Sequence, residues 1–213
     1  MSSCYVIYTG AGRESTAKAL ILKLVPPELY TRVFYPFRHM RKKIAGDWAD
    51  IYEWLIPGYI FVITDRVNDF YTALRRVPRL TKLLGTMVSE TGRNSGADLS
   101  VNFSRIFTPI SDAEEAWLRA LLGDNWFDLA SPDPDAASGS GGNAPDASDN
   151  AVAALSMIDF DENDRVRILS GPLMTLSGLV RRIDLHRRFA EVELIFMGTP
   201  QLLRLGLEIL TKE

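Results

Sequence analysis

Hydrophobic and polar positions divide the chain into two patterned stretches around one with no pattern. Tyr5-Val6-Ile7-Tyr8 reads as a strand, followed by a turn at Thr9-Gly10-Ala11-Gly12. Ala17, Leu20, Ile21 and Leu24 recur at spacings of three and four, which predicts a helix over 14–24 that Pro26-Pro27 ends. Arg32 to Pro36 predicts a second strand, and Arg38, Arg41, Lys42 and Lys43 a basic loop after it. Runs 51–55 and 59–63 predict paired strands interrupted by Pro57-Gly58. A helix over 68–76 is expected, capped by Asn68 or Asp69. Ser111-Asp112-Ala113-Glu114 has the form of a capping box, with Trp117, Leu118, Leu121 and Leu122 as its apolar stripe. One strand, a helix, three strands and two helices describe an α+β sandwich.

The pattern then stops. Residues 131–150 are all Ser, Pro, Asp, Ala, Gly or Asn, so nothing there offers a core that repays ordering. Such a stretch reads as a flexible linker, with an r.m.s. span of roughly 25 Å. From about Ile158 the period changes to two. Val166 and Ile168 alternate with Arg165 and Arg167; Ala190, Val192, Leu194 and Phe196 alternate with Phe189, Glu191, Glu193 and Ile195. Five short strands, with Gly171-Pro172, Gly178, Gly198 and Gly206 as punctuation, predict a small β-barrel of strands and turns alone, since closure protects edges. The expected organisation is a first domain over 1–123, an acidic linker over 124–155 and a barrel over 156–213.

Charge sharpens this division. The chain of 213 residues carries 24 basic and 27 acidic side chains, a net −3. Residues 1–123 hold 16 basic and 12 acidic residues, 124–154 hold none and 6, and 155–213 hold 8 and 9. The acidity therefore sits in the unpatterned stretch, and the low net charge does not exclude a nucleic-acid partner. No apolar run reaches the roughly 18 residues that span a bilayer, and the N-terminus has no signal-peptide pattern, so a cytoplasmic protein without membrane association is expected. One cysteine, Cys4 in the first strand, reads as a buried thiol. With Cys4, His39 and His186 alone there is no zinc spacing, and neither metal nor cofactor is expected.

Enzyme chemistry finds little support. Gly10-Ala11-Gly12 between strand and helix is the start of a nucleotide-binding turn, but Ser15 stands at the third glycine position and no second βα unit follows. No nucleophile elbow or phosphate loop occurs. Two features invite binding instead. Tyr59 and Phe61 share one strand face and Ile60 and Val62 the other; with both faces apolar, one can cover the core while the other offers an aromatic docking patch. Arg181, Arg182, His186, Arg187 and Arg188 crowd one hairpin turn, and arginine forks suit phosphate or guanine edges.

These residues also carry a resemblance. Trp54-Leu55-Ile56-Pro57-Gly58-Tyr59 resembles the Phe-Pro-Gly-Tyr signature of NusG-like transcription elongation factors. Tyr5 to Gly10, Arg75-Arg76-Val77-Pro78-Arg79, Gly85 and Pro109-Ile110-Ser111-Asp112 fall in that family's order. Asp164 to Ile168, Ser170-Gly171-Pro172, Gly178-Leu179-Val180 and Phe196-Met197-Gly198 resemble its KOW motif. The resemblance implies an NGN-like α/β sandwich followed by an SH3-like KOW barrel, in a monomeric, non-enzymatic protein. It implies that the first domain rides on the clamp helices of RNA polymerase, with Tyr59 and Phe61 in the patch that receives them. It implies nascent RNA and non-template DNA as partners for Arg38, Arg41, Lys42 and Lys43, for Arg75, Arg76 and Arg79, and for the barrel's basic turn.

The chain also departs from the housekeeping members. Ile56 stands where the signature usually has Phe, and Thr199-Pro200 where many members carry a basic residue that helps bind ribosomal protein S10. With the long acidic linker, these departures resemble specialised paralogues such as LoaP. The alternatives are a general NusG that couples transcription to translation and a ribosome-associated RNA-binding KOW protein.

Overall fold

A computed structural model describes residues 2–77, 82–84, 86–90, 102–123, 126, 151–163 and 165–210. Pro78, Arg79, Gly85, Asp164 and the whole of 131–150 lie outside the described residues. The chain is α+β. Its N-terminal half runs β1 (Ser3–Tyr8), α1 (Glu14–Leu24), β2 (Arg32–Phe34), β3 (Phe37–Ile44), β4 (Asp47–Trp54), β5 (Tyr59–Thr64) and α2 (Val67–Leu74). Then come β6 (Lys82–Leu83), β7 (Thr86–Glu90), β8 (Asn102–Ile106) and α3 (Asp112–Leu122). The C-terminal part runs β9 (Val152–Ala153), β10 (Ser156–Phe160), β11 (Val166–Ser170), α4 (Leu173–Leu176), β12 (Val180–Asp184), β13 (Phe189–Phe196) and β14 (Thr199–Ile209).

By contact the residues cluster into two units that are not consecutive in sequence. The first is Met1–Val33 with Gly58–Ile110, the second Phe34–Pro57 with Ser111–Glu213.

The first unit is built on a sheet of order β2-β5-β1-β6. β1 and β5 are antiparallel, from Ser3 opposite Thr64 to Tyr8 opposite Tyr59. Ile60 to Ile63 are each fully buried, as are Val6 and Ile7, so β5 is covered on both faces. Helices α1 and α2 contact each other and bury Ala17, Ile21, Phe70, Ala73 and Leu74. α2 starts at Val67, with Arg66 rather than Asn68 or Asp69 at its N-cap and no side-chain cap bond; the Arg66 N–H donates to Thr64 Oγ1 at 2.8 Å. Asp69 instead receives the Arg66 fork at 2.8 and 3.0 Å. Cys4 is buried, as its place in β1 required.

Two expectations about the middle of the chain are corrected. The basic loop is a strand: Arg38, Arg41, Lys42 and Lys43 all lie in β3. The partner of run 51–55 is this strand and not β5, since β3 and β4 pair from Phe37 opposite Trp54 to Ile44 opposite Asp47. The turn between them is two residues, Ala45 at φ 53° and Gly46 at φ 104°. Positive φ at both central positions is the turn whose twist suits a tight hairpin. Pro57-Gly58 therefore separates two sheets rather than folding one hairpin.

In the second unit, five strands form one sheet of order β11-β10-β14-β13-β12. β13 and β14 pair along their length from Phe189 opposite Gly206 to Phe196 opposite Thr199, across a Met197-Gly198 turn with φ 49° and 74°. Ala190, Val192, Leu194 and Phe196 face the core as alternation predicted; Phe189, expected outside, is buried too. The part is not strands and turns alone, because one helical turn, α4, follows Gly171-Pro172. The capping box at Ser111 is present, and its Glu114 also accepts the Met197 N–H. Trp117 donates its indole N–H to the Ile195 carbonyl at 3.2 Å, so α3 is held against the β13–β14 hairpin.

Candidate nucleic-acid and protein interfaces

The Pro57-Gly58-Tyr59 signature has a local physical cause. Gly58 sits at φ 89°, and a Cβ there would lie 3.2 Å from the Ala11 backbone nitrogen. Its N–H donates to the buried Glu14 carboxylate, and its carbonyl accepts from the Thr9 N–H at 2.8 Å and the Thr9 hydroxyl at 3.2 Å. The glycine turn at 10–12 thus receives Gly58. A buried carboxylate in the first turn of α1 is also the wrong charge for a phosphate site, because the helix N-terminus already has its anion.

This closure positions an aromatic pair. Tyr59 starts β5 half-buried, and its ring lies 5.4 Å from that of Tyr8, its cross-strand partner. Tyr8 is 47% exposed, the outward member of the pair. Phe61 is fully buried, since β5 is covered on both faces; the open aromatic face suggested by alternation is absent at this residue. Sequence reasoning missed Tyr8. Its signal was weak, a strand-end tyrosine before a glycine turn, and only the β1–β5 register sets it beside Tyr59.

The basic residues sort into three groups. Arg75 and Arg76 are exposed directly after α2, in the first unit; Arg79 is outside the described residues. Arg181 and Arg182 are exposed on β12 and paired with Glu193 at 2.7 Å and Asp184 at 3.1 Å. The third group combines both basic runs. Arg38, Arg41, Lys42 and Lys43 line a cavity of about 560 Å³ together with His186 and Arg187 of the β12–β13 turn. Arg188, next in that turn, lies 4.1 Å over the Trp48 ring and 3.3 Å from Glu208. Trp48, Phe189 and Arg204 also line the cavity, and none of them was expected from sequence. Arg204 could have been found by alternation, since it is exposed between the buried Leu203 and Leu205.

Several of these cations are already engaged. Arg38 forks onto Glu53 at 2.8 and 3.2 Å and donates to the Arg204 carbonyl. Arg41 pairs with Glu208 at 3.0 Å and approaches Asp50 at 3.5 Å. Arg204 pairs with Glu191 and covers the Phe189 ring. His39, on β3, stacks on Tyr52 and contacts Asp50 at 2.9 Å. Among the described residues no group of three His, Cys, Asp or Glu is arranged to hold a metal ion. No described helix is long and apolar enough to cross a membrane.

The KOW glycines differ in kind. Gly171 has φ 89°, and a Cβ there would fall 2.6 Å from the Leu155 carbonyl oxygen. Pro172 occupies the N-cap of α4. Gly178 has open space around its Cβ direction and no positive φ.

Residues 3–95, which include the Gly58–Tyr59 turn and the β1–β5 pair, match the family model described as "Transcription termination factor nusG". Over this stretch the chain is NusG-like. A solved structure titled "Domain interaction in Thermotoga maritima NusG" is similar at 19% identity, over 97% of this chain and 94% of that one, with a TM-score of 0.48. No curated protein matches the sequence. The NusG-like stretch holds Tyr8, Tyr59 and the hairpin cations. The basic β12–β13 turn lies beyond its end.

Proposed function

We propose that the chain is a non-enzymatic transcription elongation factor, of the antiterminating kind, that binds RNA polymerase and promotes processive elongation at particular operons. The observation that carries this reading is the NusG family match over residues 3–95. The proposed organisation is an NGN-like domain over 1–123, an acidic linker over 124–155 and a KOW domain over 156–213. Tyr59 is the proposed contact to the polymerase clamp helices, and the exposure of Tyr8 beside it supports adding Tyr8. Phe61 supports that surface from within the core. The basic groups on β3, after α2 and at the β12–β13 turn are the proposed contacts to nascent RNA and non-template DNA. An operon-specific role is favoured by Thr199-Pro200 at the position tied to ribosomal protein S10, by the acidic linker and by the crowded basic turn.

The test is capture of RNA polymerase by the full chain and by a Tyr8→Ala, Tyr59→Ala double variant. Aromatic anchors at interfaces contribute about 2 kcal/mol or more each, so binding should fall by a factor on the order of 100 or more while the melting curve stays cooperative. Undiminished capture by a folded double variant refutes the docking surface. Transcript sequencing of a deletion strain addresses specificity: readthrough lost at a few operons supports the specialised role, and a loss spread over the genome overturns it.

A further inference from the structure

The β3–β4 hairpin and the β12–β13 turn are far apart in sequence, yet both contribute to one basic cavity, and its walls are not only cationic. Met40 and Ile51, a cross-strand pair, line it together with Trp48 and Phe189. Planar guanidinium groups lie on both rings, Arg188 on Trp48 at 4.1 Å and Arg204 on Phe189 at 4.8 Å. Arg188 lies outside the lining, so the wall itself offers the Trp48 and Phe189 rings and the Arg204 guanidinium, flat surfaces of the kind on which a nucleobase stacks.

Charge selects the other half of the ligand. Arg38, Arg41 and Arg204 have carboxylate partners. Lys42, Lys43 and Arg187 are exposed, and their side chains have no carboxylate partner among the described residues; the Arg187 backbone N–H donates to Asp184. An apolar, aromatic interior with uncompensated cations at its edge matches a flat ring joined to a phosphodiester. The volume of about 560 Å³ lies in the range of small-ligand sites and admits an unstacked base with its sugar. A duplex keeps its bases stacked inside and presents only phosphates to such a site.

We infer that this cavity, shared by the β3–β4 hairpin and the β12–β13 turn, binds single-stranded nucleic acid, with a base against Trp48 and the flanking phosphates on Lys42, Lys43 and Arg187. The inference rests on the proposed nucleic-acid role of the two basic runs and narrows it to one site with a defined ligand form. RNA and DNA single strands share this chemistry, and the assay separates them.

The experiment measures binding of the full chain to a fluorescent mixed-sequence oligonucleotide of about eight nucleotides, within the site sizes of single-strand binders. The RNA strand, the DNA strand and the corresponding duplex are titrated over a range of salt. Trp48→Ala should weaken single-strand binding roughly 5- to 150-fold, the effect of losing one stacked base, with the salt slope unchanged. Trp48→Phe, which keeps a ring, should restore most of it and guards against a folding defect. Lys43→Ala with Arg187→Ala should weaken binding and flatten the salt slope by about two. Lys23→Ala with Lys82→Ala, losses of exposed charge outside the cavity and outside the proposed contacts, should leave binding intact.

Tighter binding of the RNA strand than the DNA strand assigns the transcript as ligand, and the reverse assigns an opened DNA strand. Equal affinity for duplex and single strand, an unaffected Trp48→Ala, or displacement of the oligonucleotide by an acidic peptide at similar concentration overturns the inference. Polymerase capture is run on the same variants. Lost oligonucleotide binding with retained capture is the expected result for the cavity variants. Failure of capture by the wild-type chain sinks the transcription reading but leaves the cavity result standing.

Discussion

Replacing Gly171 with alanine tests the structural reading of the KOW stretch. The residue sits at φ 89°, where an L side chain costs roughly 1–2 kcal/mol. The added methyl would also meet the Leu155 carbonyl oxygen at 2.6 Å and the Ser156 Cα at 2.7 Å. Both are backbone atoms of the β10 region, so no side chain can swing aside; overpacking of this kind costs roughly 1–3 kcal/mol. The same Ser156 hydroxyl accepts the Leu173 N–H at 3.0 Å, and moving it disturbs the start of α4. The sum is about 2–5 kcal/mol, which at roughly 2–4 °C per kcal/mol lowers the melting temperature by on the order of 10 °C. Gly178→Ala is the internal control. It has room and ordinary φ, so the smaller entropy of its unfolded chain should leave it neutral or more stable by about 0.4–1 kcal/mol. Urea titration and thermal melting of the three proteins decide the matter. Equal stability of Gly171→Ala and wild type, or an equal loss for the two variants, refutes the reasoning.

Further outcomes follow from other contacts. Gly206→Ala would drive a methyl into the His39 carbonyl oxygen where β14 contacts β3, so the packing of hairpin on sheet should loosen by about 1–3 kcal/mol, visible as faster amide exchange over 37–54. Phe61→Ala should cost about 3–5 kcal/mol because the ring is fully buried, whereas Tyr59→Ala should cost far less; matched denaturant curves check the difference. Burial, and then the Glu28 carboxylate, raise the Tyr30 phenol above its ordinary value near 10. The folded state therefore holds that proton more tightly, and the stability it contributes is complete below about pH 10 and lost as pH rises through the folded value. Tyr30→Phe should remove that part of the alkaline loss, which a melting series from about pH 9 to about pH 12 reads.

Local rules were legible wherever neighbours in sequence settle the free energy. The helix over 14–24, its end at Pro26-Pro27 and the Ser111–Glu114 box depend on contacts within a few residues, and all are present. The period of two in 189–196 likewise marked the buried side of β13. The family resemblance was legible for the same reason, because Gly58 and its neighbours form a short contiguous motif answering a local need for positive φ. Partner choice was not legible. A strand does not encode which strand it pairs with, so β4 was matched to β5 when the two-residue Ala45-Gly46 turn gives it to β3. That pairing turned four cations from a loop into one edge of a cavity, and it brought Trp48 into the site. Likewise Phe61 and Tyr59 are equivalent by alternation, but burial on both faces of β5 separates them. The sequence by itself determined the elements with short-range signals, α1, the capped α3 and the alternation of β13, and the resemblance carried by the Gly58 motif. Only the tertiary structure decided which aromatic is open and which cations meet, because those depend on contacts between residues far apart in sequence, Tyr8 with Tyr59 and Trp48 with Arg188.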